Sequence, residues 1–251
     1  MANQAKIVDL SHLIQPSEEN PYADPYSTMT SIDTHATVDA DGFFECHIFM
    51  SDHTCTHIES NLHFNPKGTT IDEMPLDLMY SDAVVLDFSH IEPGEDITKS
   101  DLKSAAEAAK VDLKKEKIVL IRTDFYKTWG TAKYTTLQPN LLPNAGEWLV
   151  NLGVRVIGVD ALVPEVDRSR INSRINPKDM RRCWPLHALF TKYDFYILER
   201  MANLDRVPSS KFKLIIAPLR FARASASPIR ALAIVEGDKP GRTFRRLPTI
   251  V

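Results

Sequence analysis

The sequence predicts one α/β domain over residues 1–251, built on a mixed β-sheet with a few helices. Three observations carry this expectation. A hydrophobic share of 43% against 25% charge in 251 residues is the composition of an ordinary globular domain with a sizeable core. Short apolar runs alternate with turn-rich segments along the whole length, and neither a repeat nor a low-complexity linker divides them. Helical patterns are few and fall between strand patterns, as in crossover units.

In chain order, the first strands are expected at Lys6–Leu10, Phe43–Phe49 and Ala83–Phe88, each rich in branched or aromatic residues and bounded by turn formers. A helix over Lys99–Ala109 opens after Thr98, a suitable cap, and is rich in Ala, Glu and Lys. The strand Lys117–Thr123 is almost continuously apolar, which fits a strand covered on both faces. A second helix, Asn144–Leu152, places Trp148 and Leu149 on its apolar side, stops at Gly153 and feeds the strand Val154–Val159. A third helix is expected over Trp184–Tyr193, because Pro185 suits a first turn and Leu186, Leu189 and Phe190 recur at helical spacing. Strands at Phe195–Leu198, Leu214–Pro218 and Arg230–Val235 complete the sheet.

Cys46, Cys55 and Cys183 are an odd number without paired spacing, which argues against a disulfide framework or a zinc knuckle and fits a reducing compartment. The opening apolar run Ile7-Val-Asp-Leu10 is too short for a secretory segment, and nothing later approaches a membrane span. The expectation is a cytoplasmic protein without a membrane partner. A net charge of −3 gives no general attraction to nucleic acid. The run from Asp167 to Arg182 carries Arg168, Arg170, Arg174, Lys178, Arg181 and Arg182, and reads as a solvated loop or a local anion-facing rim.

Chemistry concentrates in one place. His53, His57, Glu59 and His63 put three of the eight histidines and a carboxylate into one short stretch. Imidazoles and a carboxylate are the donors of zinc or manganese sites, which need about three protein ligands and an open position. Spacing constrains the backbone. Four extended residues span about 13 Å, whereas two ligands of one ion lie within about 4 Å of each other, so the chain must turn between His53 and His57. Thr54, Cys55 and Thr56 must form that turn. The alternative is a His-rich strand end whose rings bond to their neighbours.

These residues carry a family resemblance. His53-Thr-Cys-Thr-His57-Ile-Glu59-Ser-Asn-Leu-His63 resembles the signature of the cyclase or kynurenine formamidase-like family of metal-dependent hydrolases. Its usual pattern is His, any residue, Gly-Thr-His, any residue, Asp, any residue, Pro, any residue, His. Val8-Asp-Leu-Ser-His12 is similar to the family's opening strand, and Gly68 to Pro75 to the segment after the motif. Val119-Leu-Ile-Arg-Thr123 with Trp129-Gly130, Gly158-Val-Asp160 and Ser227-Pro-Ile-Arg230 resemble later motifs in their usual order. The resemblance implies the family's swivelling β/β/α type of fold. It also implies that His187 and Glu199 complete the metal site. By position, His53, His57, Glu59 and Glu199 would bind one ion, and Glu59, His187 and Glu199 a second where it is occupied. His63 would be the catalytic acid or base. Tyr22, in Asn20-Pro-Tyr-Ala-Asp-Pro25, falls where the family places an aromatic against substrate, although a plain turn explains it as well.

Three departures bear on the substrate. Glu59 stands where Asp is usual, Cys55 where Gly is usual and Asn61 where Pro is usual. Cys55 reads as a packed thiol or a further soft ligand. Asp160 reads as an acceptor behind a liganding His or as a structural cap.

The implied activity is hydrolysis of an amide-like or cyclic C–N or C–O bond (formamide, imide, lactam or lactone) in a small carbonyl compound. A divalent ion, Zn2+ or Mn2+ at one or two per chain, would activate water, with His63 moving the proton. The alternatives are a metal-dependent lyase or cyclase acting on a small carboxylate or carbonyl compound, and a non-catalytic small-molecule binding module. A homo-oligomer, dimer or tetramer, is expected.

Overall fold

A computed structural model of the chain describes residues 5–20, 29–135, 138–165, 184–208 and 211–236. Tyr22, Cys183 and the basic run from Asp167 to Arg182 lie outside the described residues. The chain opens with strand β1 (Ala5–Asp9), then a hairpin of β2 (Ser31–Ala36) and β3 (Glu45–Phe49) around the short helix α1 (Val38–Asp41). β4 (His57–Glu59), the four-residue helix α2 (Leu76–Met79) and β5 (Tyr80–Asp87) follow. Next come β6 (Asp96–Ile97), α3 (Lys99–Ala109), β7 (Ile118–Arg122), β8 (Asn140–Leu141), α4 (Pro143–Asn151) and β9 (Val156–Val159). β10 (Tyr196–Glu199), β11 (Phe212–Ile215), β12 (Ala226–Pro228) and β13 (Leu232–Glu236) close the described chain.

Nine of these strands form one mixed sheet in the order β1-β13-β11-β5-β7-β9-β10-β4-β12, while β2-β3 and β6-β8 stand as separate pairs. The four inner strands β5, β7, β9 and β10 run parallel, and the flanking ones pair antiparallel. The fold is thus the single α/β domain with a mixed sheet that the patterning predicts.

The alternation along each strand divides the core. Val84, Leu86, Val119, Ile121 and Ile157 face α3 and α4, whereas Ala83, Val85, Ile118, Leu120 and Val156 face Leu10, Ile58, Met74 and Met201. Burial on both faces explains the unbroken apolar runs. α3 begins at Thr98, whose side chain accepts from Asp101 N while Asp101 bonds back to Thr98 N, so two open amides are satisfied at once. α4 begins with Pro143 and ends before Gly153 at φ +104°, a left-handed conformation glycine adopts without cost.

The sequence-based expectations need three corrections. Trp184–Tyr193 is not an α-helix; it contains a 3-10 segment, His187–Thr191. The strands β2, β4, β6, β8 and β12 fall outside the expected ones, being short or without an apolar run. Predicted strand ends shift by a few residues, most at β11, which is Phe212–Ile215 rather than Leu214–Pro218.

Candidate metal centre

The site grows out of β4. Its alternation puts His57 and Glu59 on one face and Ile58 into the core behind. β10 lies alongside in antiparallel register, with Glu199 opposite His57 and Ile197 opposite Glu59. Register alone therefore sets three ligand-type side chains at one end of the sheet, all buried.

His53 joins them through the required turn. Cys55 adopts φ +60°, the left-handed region that an ordinary side chain occupies at a cost, and this bends the chain between the two histidines. Its thiol is packed, not aimed at the site: Sγ donates to the carbonyls of His12 and Leu13 at 3.5 and 3.6 Å. Arg200 has a similar conformation, φ +57°, directly after Glu199. Its buried guanidinium donates to the carbonyls of His53 and Leu162 at 3.0 and 3.2 Å, and Thr56 Oγ1 donates to its carbonyl at 2.5 Å. The turn is thereby tied to the end of β10.

The resulting cluster is tight. His53 Nδ1 lies 3.2 Å from both His57 Nε2 and Glu59 Oε2, and His57 Nε2 lies 3.6 Å from Glu199 Oε2. On the other side of Glu59, His187 Nε2 is 2.8 Å from Glu59 Oε1 and 3.3 Å from Glu199 Oε1. His63 Nε2 lies 3.6 Å from Glu59 Oε2, and its side chain is 35% exposed where Glu59 and His187 are buried. Two trios, His53-His57-Glu59 and Glu59-His63-His187, bring ligand atoms within 4.8 Å of one another, sharing Glu59. All five predicted metal ligands thus converge, and His63 sits at the exposed edge.

Three rings are oriented from behind by groups the sequence reading did not single out or did not connect to them. His57 Nδ1 bonds to the Cys55 carbonyl at 2.9 Å, leaving Nε2 to face the cluster. His187 Nδ1 bonds to Glu165 Oε1 at 2.9 Å, and the same carboxylate accepts from the backbone amides of Leu186 and His187. His53 Nε2 bonds to Ser225 Oγ at 3.0 Å, and Ser225 Oγ in turn donates to Asp52 Oδ2 at 3.0 Å. The 3-10 segment bearing His187 is seated by Gly146 of α4, where any Cβ would collide with Leu186. Asn61 Oδ1 accepts from Thr69 N and Oγ1 at 2.8 and 3.0 Å, which fixes the loop after His63. Asp160 is the structural cap of its two readings: it accepts from Thr123 N and Oγ1 and from Asp124 N.

Electrostatics match this chemistry to a cation. Burial, with the Arg200 charge, drives the His57 imidazole well below its ordinary value, so it is neutral and able to ligate. Burial works against a charged Glu59, but His187 and His63 outweigh it and hold its carboxyl well below the usual range. Burial and the Glu59 charge raise Glu199. Burial would also lower His187, yet Glu59, Glu165 and Glu199 raise it well above its ordinary value. A proton is drawn to the ring whose Nε2 faces Glu59 and Glu199 while its Nδ1 faces Glu165, and a divalent cation between Glu59 and Glu199 answers the same charge. Glu59 Oε1 and Glu199 Oε1 are buried and both face His187 Nε2, at 2.8 and 3.3 Å, so two carboxylate oxygens converge where one nitrogen stands, an arrangement a divalent cation completes. The residues therefore fit a divalent metal.

Comparison with known proteins places this site in context. A family model described as putative cyclase matches residues 8–166. A kynurenine formamidase of Bacillus thuringiensis (strain Al Hakam) is 32% identical over 184 residues, covering 73% of this chain and 76% of that protein. An isatin hydrolase bound to the product analogue thioisatinate superposes with a TM-score of 0.79 at 23% identity, covering 92% of both chains. Isatin hydrolase A from Ralstonia solanacearum gives 0.78 at 23% identity, again over 92% of each chain. At that identity the structural likeness establishes the fold.

Proposed function

This chain belongs to the putative cyclase family, and on that premise we propose that it is a metal-dependent hydrolase of an amide-like bond in a small carbonyl compound. The observation that carries the reading is the shared Glu59 carboxylate, whose Oε2 lies 3.2 Å from His53 Nδ1, itself beside His57 Nε2, and whose Oε1 lies 2.8 Å from His187 Nε2. His53, His57, Glu59 and Glu199 would hold one ion, and Glu59, His187 and Glu199 a second. We take zinc as the native metal with manganese as the other candidate, since nitrogen and carboxylate donors suit both.

A bound divalent cation supplies Lewis acidity toward a carbonyl oxygen and brings the pKa of water to about 7. The chain's own residues do the rest. Cys55 O, Glu165 and Ser225 hold the three ligand rings in one tautomer each, so the ligand atoms need no reorganisation. Burial pushes His63 down to about 4, so its imidazole is neutral at pH 7 and accepts a proton at Nε2. Its partial exposure lets the same nitrogen return that proton to a departing amine or alcohol. Formamides, imides, lactams and lactones are the substrate class, by analogy with the named activities of the relatives. Among the described residues no helix is long and apolar enough to cross a membrane; a cytoplasmic setting and a homo-oligomeric state are part of the proposal.

The test is turnover of N-formylkynurenine and isatin, with a lactone series alongside, before and after chelation. Hydrolysis that disappears with chelator and returns with zinc or manganese supports the reading. Hydrolysis that survives full metal removal, or no turnover of any of these compounds by the metal-loaded protein, overturns it.

A further inference from the structure

The hairpin β2-β3 stands apart from the nine-stranded sheet, and its two strands bring together two histidines that the centre at Glu59 does not use. Asp33 lies opposite His47 and Thr34 opposite Cys46, but Ala36 pairs with Glu45, so His35 is one residue too many for the partner strand. Such a bulge re-aims the side chain it carries. Here it brings the His35 ring onto His47, with centroids 4.4 Å apart and planes tilted by 59°. Both residues are exposed. Alternation sets Asp33, opposite His47, on the same face as that ring and the half-buried Cys46 on the other.

We propose that His35 and His47 form a separate surface metal site, for one late first-row divalent ion such as Cu2+, Ni2+ or Zn2+. Two nitrogens bound to one ion lie roughly 3 Å apart. Exposed imidazoles with centres 4.4 Å apart reach that spacing by rotating about their side-chain bonds. Imidazole favours these ions over Mg2+ and Ca2+, which take oxygen donors. The surrounding charge has one sign: between Met29 and Met50 the chain has Asp33, Asp39, Asp41 and Glu45 and neither Lys nor Arg, so the local field attracts a cation. Register places Asp33 to add an oxygen, its Oδ2 accepting from Ser31 Oγ at 2.8 Å, and water completes the coordination. An ion held by one histidine from each strand ties together a hairpin that is marginal in water by itself, and stabilises it by mass action. Contact between two rings without a metal is the alternative, and it gives the pair no response to these ions. The site shares no residue with the Glu59 centre, so it is independent of the proposed activity.

Calorimetric titration of the untagged, zinc-loaded full chain with Ni2+ tests it. The wild type is expected to take up one further ion per chain, and His35→Asn and His47→Asn each to weaken that step at least tenfold. His57→Ala, at the Glu59 centre, keeps the step, so failure of that centre and failure of this site are read separately. Hydrogen exchange on the wild type needs no variant: amides of 31–36 and 45–49 exchange more slowly with Ni2+ than without it, and Mg2+ at the same concentration leaves them unchanged. Equal Ni2+ titrations in the wild type and the folded His35→Asn and His47→Asn variants, or hairpin exchange that ignores Ni2+, overturns the proposal.

Discussion

His187 Nε2 lies 2.8 Å from Glu59 Oε1, although the two residues come from opposite ends of the chain's chemistry, one in a short strand and one in a 3-10 segment. What holds them together is Glu165, which receives the other ring nitrogen of His187 and two backbone amides of the same segment. Glu165→Gln keeps the shape but offers an NH2 where an acceptor is needed. It should lower metal affinity about 10–100-fold, measured by competition with a chromophoric chelator, with the circular dichroism of the fold retained.

The turn at Cys55 separates two roles for a cysteine beside a metal site. A packed thiol at φ +60° predicts that Cys55→Gly retains full metal content, because no ligand is lost. Relief of the left-handed side chain, about 1 kcal/mol, offsets the loss of the buried sulfur contacts, so urea stability should change by no more than about 1 kcal/mol. Cys55→Val keeps the volume but adds a β-branch in the left-handed region, and should cost about 2 kcal/mol or more. Metal content and urea midpoints of the two variants check both statements.

His12 gives the pH dependence. Its ring stacks on Trp129 with centroids 3.9 Å apart, its Nε2 has no hydrogen-bond partner among the described residues, and burial lowers it to about 4. The unfolded chain takes up a proton below about 6.5 that the folded chain refuses until about pH 4. Stability should therefore be flat in this group above pH 6.5 and fall as the pH drops toward 4, by about 2–3 kcal/mol in all. His12→Phe keeps the stack without the proton, so its urea midpoint should fall less steeply over that window in metal-free protein. Parallel slopes for the two proteins would contradict this.

Much of this was legible beforehand, for reasons tied to particular residues. The apolar runs at β5, β7 and β9 read as strands because both of their faces are covered. β4 did not, because its sequence is that of a ligand set; only the forced turn between His53 and His57 was readable, and it falls at Cys55 as the spacing requires. His187 and Glu199 were reached through the family resemblance, since neither has a local signal. Glu165, Ser225 and Asp52 went unread: a lone acid or serine far along the chain has no periodicity or spacing that ties it to a particular imidazole. The nearest available cue for Asp52 and Ser225 was their adjacency to His53 and to the Ser227-Pro-Ile-Arg230 motif. Arg200 also went unread, because its reach back to the His53 carbonyl depends on the fold.

The central claim is that residues from β4, its preceding turn, β10 and the His187 segment form one metal site. Elemental analysis of His57→Ala and Glu199→Ala beside the wild type tests it most directly. The account predicts one to two divalent ions per wild-type chain and at least a tenfold fall in affinity in each variant, with both variants folded. Wild-type metal content in both variants would contradict it.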